Sequence, residues 1–306
     1  MPDLAIGVGL PVAGAWATPD NLRRVATRAD ELGYASLWTF QRLLHPVDED
    51  WGPTYHAVHD PIAALSYAAG RTSRIRLGLA VLNLPWYAPI VLAKALTTLD
   101  VVSDGRLDVG LGLGWAPQEF AAVGASRARR GARAEEFVRC LRAIWTEPEV
   151  EFHGSFYDIP RVRVEPKPAQ SPHPPLLLGG MADVALRRAG RIADGWISSS
   201  RTDLTAIGPS IDVVRSAAEA AGRDPAPLRF VVRGVVRWRP DGVTDRRPLQ
   251  GTADQIRSDL DALRRQGVTE VFLDLNYDPP MVSGELDAAA ALDRAERMLE
   301  EFTPAG

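Results

Sequence analysis

Nearly uninterrupted aliphatic runs alternate along the chain with longer segments in which apolar residues recur every three or four positions. A strand buried on both faces loses the two-residue alternation of a half-exposed one. Residues 75–82 and 107–113, almost wholly aliphatic or glycine, therefore read as members of a parallel sheet. Between them Pro89 opens a helix whose apolar positions Val91, Leu92, Ala95, Leu96, Leu99 and Val102 share one stripe, and Asp104–Gly105 stops it. A right-handed crossover joining two parallel strands is the expected product.

The same unit repeats. Strands are predicted at residues 4–10, 36–40, 75–82, 107–113, 175–178, 195–198, 229–236 and 270–275. Helices are predicted at 19–32, 61–71, 89–103, 130–145, 183–192, 204–221, 252–266 and 287–302, several opened by Pro or a capping residue. Eight strand-helix pairs in 306 residues predict an α/β fold, a (β/α)8 TIM barrel with insertions at the carboxyl face. A doubly wound open sheet is the alternative. Residues 1–306 are expected to form a single domain, with a hairpin and loop at about 147–174 lying over the barrel mouth. A second long connection, 43–60, carries His45, Trp51, Tyr55, His56 and His59 after strand two.

Composition narrows the partners. A formal net charge of -4, with no basic stripe beyond the cluster from Arg127 to Arg133, argues against nucleic acid. The lone Cys140 excludes a disulfide framework and a thiolate metal site. No run of eighteen apolar residues and no leader-like pattern occurs, so a soluble, cytoplasmic protein without a membrane partner is expected.

In a barrel the chemistry gathers at the carboxyl ends of the strands. The candidates there are Gln41 and Arg42, Asn83, Trp115 and Glu119, Gly179 to Met181, Ser198 to Ser200, and Asn276. The run Gly110 to Gly114 lacks the last glycine of a dinucleotide fingerprint. Its glycines serve either close packing inside the barrel or backbone approach to a ligand. Gly179–Gly180–Met181 lies between a strand and a helix start, where free N–H groups and the helix dipole suit a phosphate, with Arg133 as counter-charge. His56 and His59 have helix-compatible spacing but no third ligand in view, so no metal is assigned and a zinc hydrolase is disfavoured. No GxSxG elbow supports a serine hydrolase. Trp38, Trp86, Trp115 and Trp196 fall near strand ends, where they either pack or line an aromatic pocket.

SLWTFQRLL at 36–44, the stretch from Arg74 to Trp115, RGARAEEF from 130 and PPLLLGGMADVALRRAGRIADGWISSS from 174 resemble the luciferase-like monooxygenase superfamily, in particular its actinobacterial F420-dependent members. The resemblance spans nearly the whole chain and is weakest from about 201 to 247. It implies a barrel, often homodimeric, that holds coenzyme F420 or FMN at the carboxyl face. It also implies a non-proline cis peptide at Ala80–Val81 backing the tricyclic ring. By the same carry-over Gly112, Gly114 and Trp115 border the ring or its ribityl chain, Asn83 faces the ring's polar edge or the substrate, and Arg133, Gly179, Gly180 and Met181 meet the phosphate; Trp38, Ala80 and Val81 are counted with these cofactor-binding residues. Many members have an acidic residue followed by His where this chain has Gln41–Arg42, and neither of these shuttles protons near neutral pH. Glu119, His45, His56 and His59 are the remaining acid-base candidates by location. The expected function is hydride transfer between F420 and a small organic substrate. The alternatives are an FMN-dependent monooxygenase and a non-catalytic flavin or deazaflavin carrier.

Overall fold

The computed structural model describes residues 3–243 and 245–304. Eight parallel strands close on themselves: β1 (Ala5–Gly9), β2 (Ser36–Thr39), β3 (Arg76–Leu79), β4 (Leu107–Gly112), β5 (Leu176–Gly179), β6 (Gly195–Ile197), β7 (Arg229–Val235) and β8 (Glu270–Asp274). Closure comes where Leu77 pairs with Leu107 and Gly78 with Asp108, so the fold is a (β/α)8 barrel and not an open sheet. The surrounding helices are α1 (Pro19–Glu31), α2 (Pro61–Ala69), α3 (Pro89–Val102), α4 (Arg130–Thr146), α5 (Asp183–Ile192), α6 (Gly208–Ala220), α7 (Ala253–Arg265) and α8 (Ala288–Glu301). Their starts follow local chemistry. Thr18 accepts from the Asn21 amide ahead of α1, and Thr252 with Gln255 forms a capping box on α7.

Two predicted elements divide. The third strand breaks at the cis bond Ala80–Val81 and resumes at Leu82–Asn83, which pair with Leu111 and Gly112. The helix predicted from 204 becomes a 3-10 turn, Leu204–Ala206, followed by α6, because Pro209 has no amide to continue a helix and fits only a first turn. A short helix, Pro117–Ala122, was not anticipated.

The barrel interior is filled by Trp38, Leu177, Ile197, Val231 and Phe272, with Ala80 above them. The rings of Trp38 and Phe272 stack at 5.2 Å, and position 78 must be glycine because a Cβ there would lie 2.2 Å from the indole. Below, Asp108 is fully buried and takes both arms of Arg76 (2.9 and 2.6 Å) and of Arg229 (2.7 and 3.0 Å). Arg229 also reaches Glu270 at 2.8 Å, and Glu270 accepts from Ser36 and from the Trp38 indole. Burial alone would raise the Asp108 carboxyl, but the two guanidinium partners outweigh it and hold the group below the carboxylate range. Two cations balance two carboxylates, and the network closes the floor of the barrel.

The insertion forms its hairpin, Val150–His153 against Asp158–Val162, but not over the mouth. An α-to-β connection emerges at the amino-terminal end of a barrel, and this one climbs the outer side of α4. Its turn is held there by Glu136, which accepts the amides of Ser155, Phe156 and Tyr157 at 2.9, 2.7 and 2.8 Å. The exit segment runs down α3, where Lys94 donates to the Glu165 carbonyl, and reaches the floor, where Gln170 meets Asp100 and the Leu107 carbonyl. The 43–60 loop does lie at the carboxyl face: the His59 amide donates to Val12 O at 2.9 Å and the Thr54 hydroxyl to Asn276 O at 2.8 Å. No helix among the described residues is long and apolar enough to cross a membrane.

Candidate active site

A cavity of about 430 Å³ opens at the carboxyl ends of the strands. Its inner wall is the Ala80–Val81 bulge. The Val81 side chain stands where added Cβ atoms on Gly112 and Gly179 would lie 2.5 and 3.4 Å from its methyls. The glycines at the end of β4 are closely packed and also line the cavity: Gly112 clears space for Val81, while a Cβ on Gly114, at φ +70°, would press on Phe120 at 2.9 Å. The result is a flat apolar surface flanked by backbone.

Behind the bulge lies Arg233, the buried cation of β7. It donates to the Ala80 carbonyl and to Asp274 (2.5 Å to Oδ2), and its guanidinium packs on Phe40, Phe272 and Tyr277 at 5.1 to 5.3 Å. Burial would lower its pKa, yet the hydrogen-bonded Asp274 carboxylate outweighs it and the pKa is raised, so the charge is permanent. The Tyr277 hydroxyl lies 3.2 Å from that of Tyr55, and burial pushes the Tyr277 phenol well up. Both side chains line the cavity.

Along the third-strand edge, the Gln41 carbonyl accepts the Asn83 amide at 2.9 Å while its NH2 group donates to the Tyr87 hydroxyl. Gln41 thereby orients Asn83 into the cavity wall. Arg42 is held beside it by Glu119 at 3.1 Å and by the faces of Trp115, Tyr55 and Trp51 at 4.8, 5.0 and 5.6 Å. On the far side, Gly179 to Met181 lead into α5, whose start has no side-chain cap, leaving first-turn amides available. The Trp196 indole fixes the Gly180 carbonyl at 2.8 Å.

Most of the predicted residues converge: Gln41, Arg42, Ala80, Val81, Asn83, Gly112, Gly114, Trp115 and Gly179 to Met181 all line the cavity. Others do not. Trp38 is 1% exposed and belongs to the packed interior beneath the bulge. Arg133 turns outward, its guanidinium on the Ser126 carbonyl and the Phe156 ring. Arg130, one helical turn earlier, donates to Gly114 O at 3.0 Å and lines the cavity in its place. Glu119 is fully buried behind Arg42 and accepts from it and from the Leu43 amide. His56 and His59 line a separate cleft, with His59 on the Ala17 carbonyl, and His45 packs on His56; none of the three faces the cavity. The described lining includes Arg42, Arg130, Arg201 and Arg233 and no carboxylate, lysine or imidazole.

The luciferase-like monooxygenase family matches residues 5–241. The chain belongs to that family. Its relatives include an F420-dependent glucose-6-phosphate dehydrogenase of Amycolatopsis mediterranei, 31% identical over 70% of this chain and 64% of that protein. They also include an FMNH2-dependent dimethylsulfone monooxygenase of Pseudomonas putida, 34% identical over 54% of this chain and 46% of that protein. Among solved structures, monooxygenase RslO1 of Streptomyces bottropensis superposes with a TM-score of 0.82 at 26% identity and covers 98% of each chain. The family thus holds deazaflavin and flavin enzymes on one luciferase-like barrel.

Arg130, Arg201, Arg233 and Tyr277 line the cavity without having been singled out from the sequence. Arg233 had a signal: FVVRGVV places one charge inside an otherwise apolar buried strand, which a barrel tolerates only with a purpose for it. Tyr277 had none beyond its place after the last strand.

Proposed function

We propose that this luciferase-like enzyme is an oxidoreductase that transfers hydride between coenzyme F420 and a small organic substrate. The observation that carries the reading is the Val81 bulge facing a cavity whose lining holds four arginines and no acid. Its apolar face suits a tricyclic ring. F420 bears carboxylates beyond its phosphate whereas FMN ends in one phosphate, so Arg130 and Arg201, the two lining cations not met by a described carboxylate as Arg42 and Arg233 are, favour F420.

When bound, the deazaflavin supplies the hydride chemistry. Val81, Gly112 and Gly179 back the ring, and Arg233 fixes the Ala80 carbonyl so that this backing keeps its shape. The amides of Gly180 to Asp183 and the Arg130 guanidinium take the phosphate. Asn83, oriented by Gln41, meets a polar edge of the ring or substrate. With no carboxylate, lysine or imidazole in the described lining, the hydroxyls of Tyr55, Tyr277 and Ser198 to Ser200 would be the groups that hydrogen-bond a bound substrate. A homodimer with no nucleic-acid or membrane partner completes the proposal.

Fluorescence titration of the purified protein with F420 and, separately, with FMN tests it. Micromolar affinity for F420 and at least about tenfold weaker binding of FMN are expected. Micromolar FMN binding with no affinity for F420 would overturn the cofactor assignment and leave the flavin monooxygenase reading.

A further inference from the structure

The loop after β2 carries a second constellation, outside the mouth cavity. His45, Asp50 and His56 each present one ligand atom, and the three atoms lie within 4.8 Å of one another. The two imidazoles meet edge to face with centroids 4.2 Å apart. His59, whose spacing from His56 first suggests a metal pair, is not a member, since its Nε2 is engaged by the Ala17 carbonyl at 2.8 Å. The third ligand that the sequence could not supply is Asp50, brought in by the fold of the loop.

Two imidazoles and one carboxylate are a donor set suited to Zn²⁺, with water in the fourth position. An ion at the centre of a triangle with 4.8 Å sides lies about 2.8 Å from each corner, whereas Zn–N and Zn–O bonds are about 2.0–2.2 Å, so each ligand closes by roughly 0.7 Å. Asp50 and His56 are exposed and His45 half-buried, so side-chain rotation supplies that movement. Two contacts compete: the Trp51 amide on His45 Nε2 is 3.4 Å long and weak, and the Gly52 amide donates to Asp50 Oδ1 at 2.7 Å, which leaves the second carboxylate oxygen for an ion. Charge points the same way: residues 45–56 contain Asp48, Glu49 and Asp50 and neither Lys nor Arg, while the charge of Arg42 is met by Glu119.

The geometry points to a site for one Zn²⁺ ion on His45, Asp50 and His56. None of the three lines the mouth cavity, so the ion is a clamp and not a reaction centre. It ties together the two ends of a segment that carries Trp51 and Tyr55 onto Arg42, and so fixes one wall of the mouth. The inference stands apart from the choice of cofactor.

Chelator-treated full-length protein titrated with ZnCl2 in a calorimeter tests it. One equivalent binds with micromolar affinity, and His45→Ala and His56→Ala each weaken binding at least about tenfold, whereas His59→Ala leaves it unchanged. Asp50→Asn, the mildest change on an exposed side chain, weakens it too. Zn²⁺ slows amide exchange across 45–56 in the parent and not in His56→Ala. Absence of stoichiometric uptake at about 100 μM Zn²⁺ overturns the site. So does uptake that survives both histidine substitutions, or that is lost instead in His153→Ala, where Glu151 and Asp158 flank a surface imidazole.

Discussion

Arg233 bonds the carbonyl of the Ala80–Val81 peptide on one side and Asp274 on the other, and three aromatic rings shield it from water. Removing one member of such a pair leaves the other charge buried without a partner, which costs about 3–5 kcal/mol. Arg233→Met is therefore expected to lower stability by about that much in urea denaturation, and to weaken cofactor binding in fluorescence titration because the ring's backing loses its anchor. Gly112→Ala tests the opposing wall. Its new methyl would meet Val81 at 2.5 Å, an overpacking worth about 1–3 kcal/mol, and Val81→Ala in the same chain should recover most of the loss. Both residues were visible in the sequence to different degrees. Gly112 stood out as a strand glycine without revealing what it faced, since its neighbour Val81 depends on a backbone bend that no periodicity records. Arg130 and Arg133 were indistinguishable in ARRGAR, because one helical turn decides which points inward and only the placement of the helix sets that turn.

At the scale of elements, strands were readable because burial on both faces erases alternation in β3 and β4, and α3 because Leu92, Leu96 and Leu99 keep helical spacing on its buried side, although Val91 and Val102, predicted on the same stripe, face water. The insertion was readable as a hairpin but was misplaced: it falls between a helix and the next strand, and that order roots it at the amino-terminal end of the barrel whatever its composition. Its hold on α4 is the Glu136 carboxylate. Burial opposes its charge, but three backbone amides outweigh burial and hold its pKa below the ordinary range. A carboxylate with a depressed folded pKa contributes stability above its unfolded value, about 4.3–4.5, and that contribution disappears as pH falls through the lower folded value. Amide exchange across residues 150–162 should accelerate below about pH 4 while the barrel strands stay protected. Glu136→Gln should reproduce the loosening at neutral pH, at a cost of about 1–3 kcal/mol, and an unchanged exchange rate there would remove the carboxylate from its assigned role.

Considered whole, the molecule pairs a net charge of -4 with a mouth lined by four arginines, of which Arg42 and Arg233 are met by Glu119 and Asp274, so Arg130 and Arg201 are the lining cations left to draw an anionic cofactor to the opening. Outside the barrel, α3 exposes Ile90, Val91, Val101 and Val102 along one stripe, four apolar side chains on the water-facing side of a helix. This is the face assigned to the proposed homodimer. Light scattering is expected to give twice the 33.3 kDa chain mass, and Val91→Glu with Val102→Glu to give the single-chain mass without loss of helical signal. At the opposite end from the mouth, Arg76, Asp108, Arg229 and Glu270 form a neutral plug under the Trp38 layer. With that plug in place the barrel is a cup with one doorway. A ring seated against Val81 must load before whatever lies on top of it and can leave only after, so turnover should follow a compulsory order, visible as product inhibition competitive against the cofactor alone.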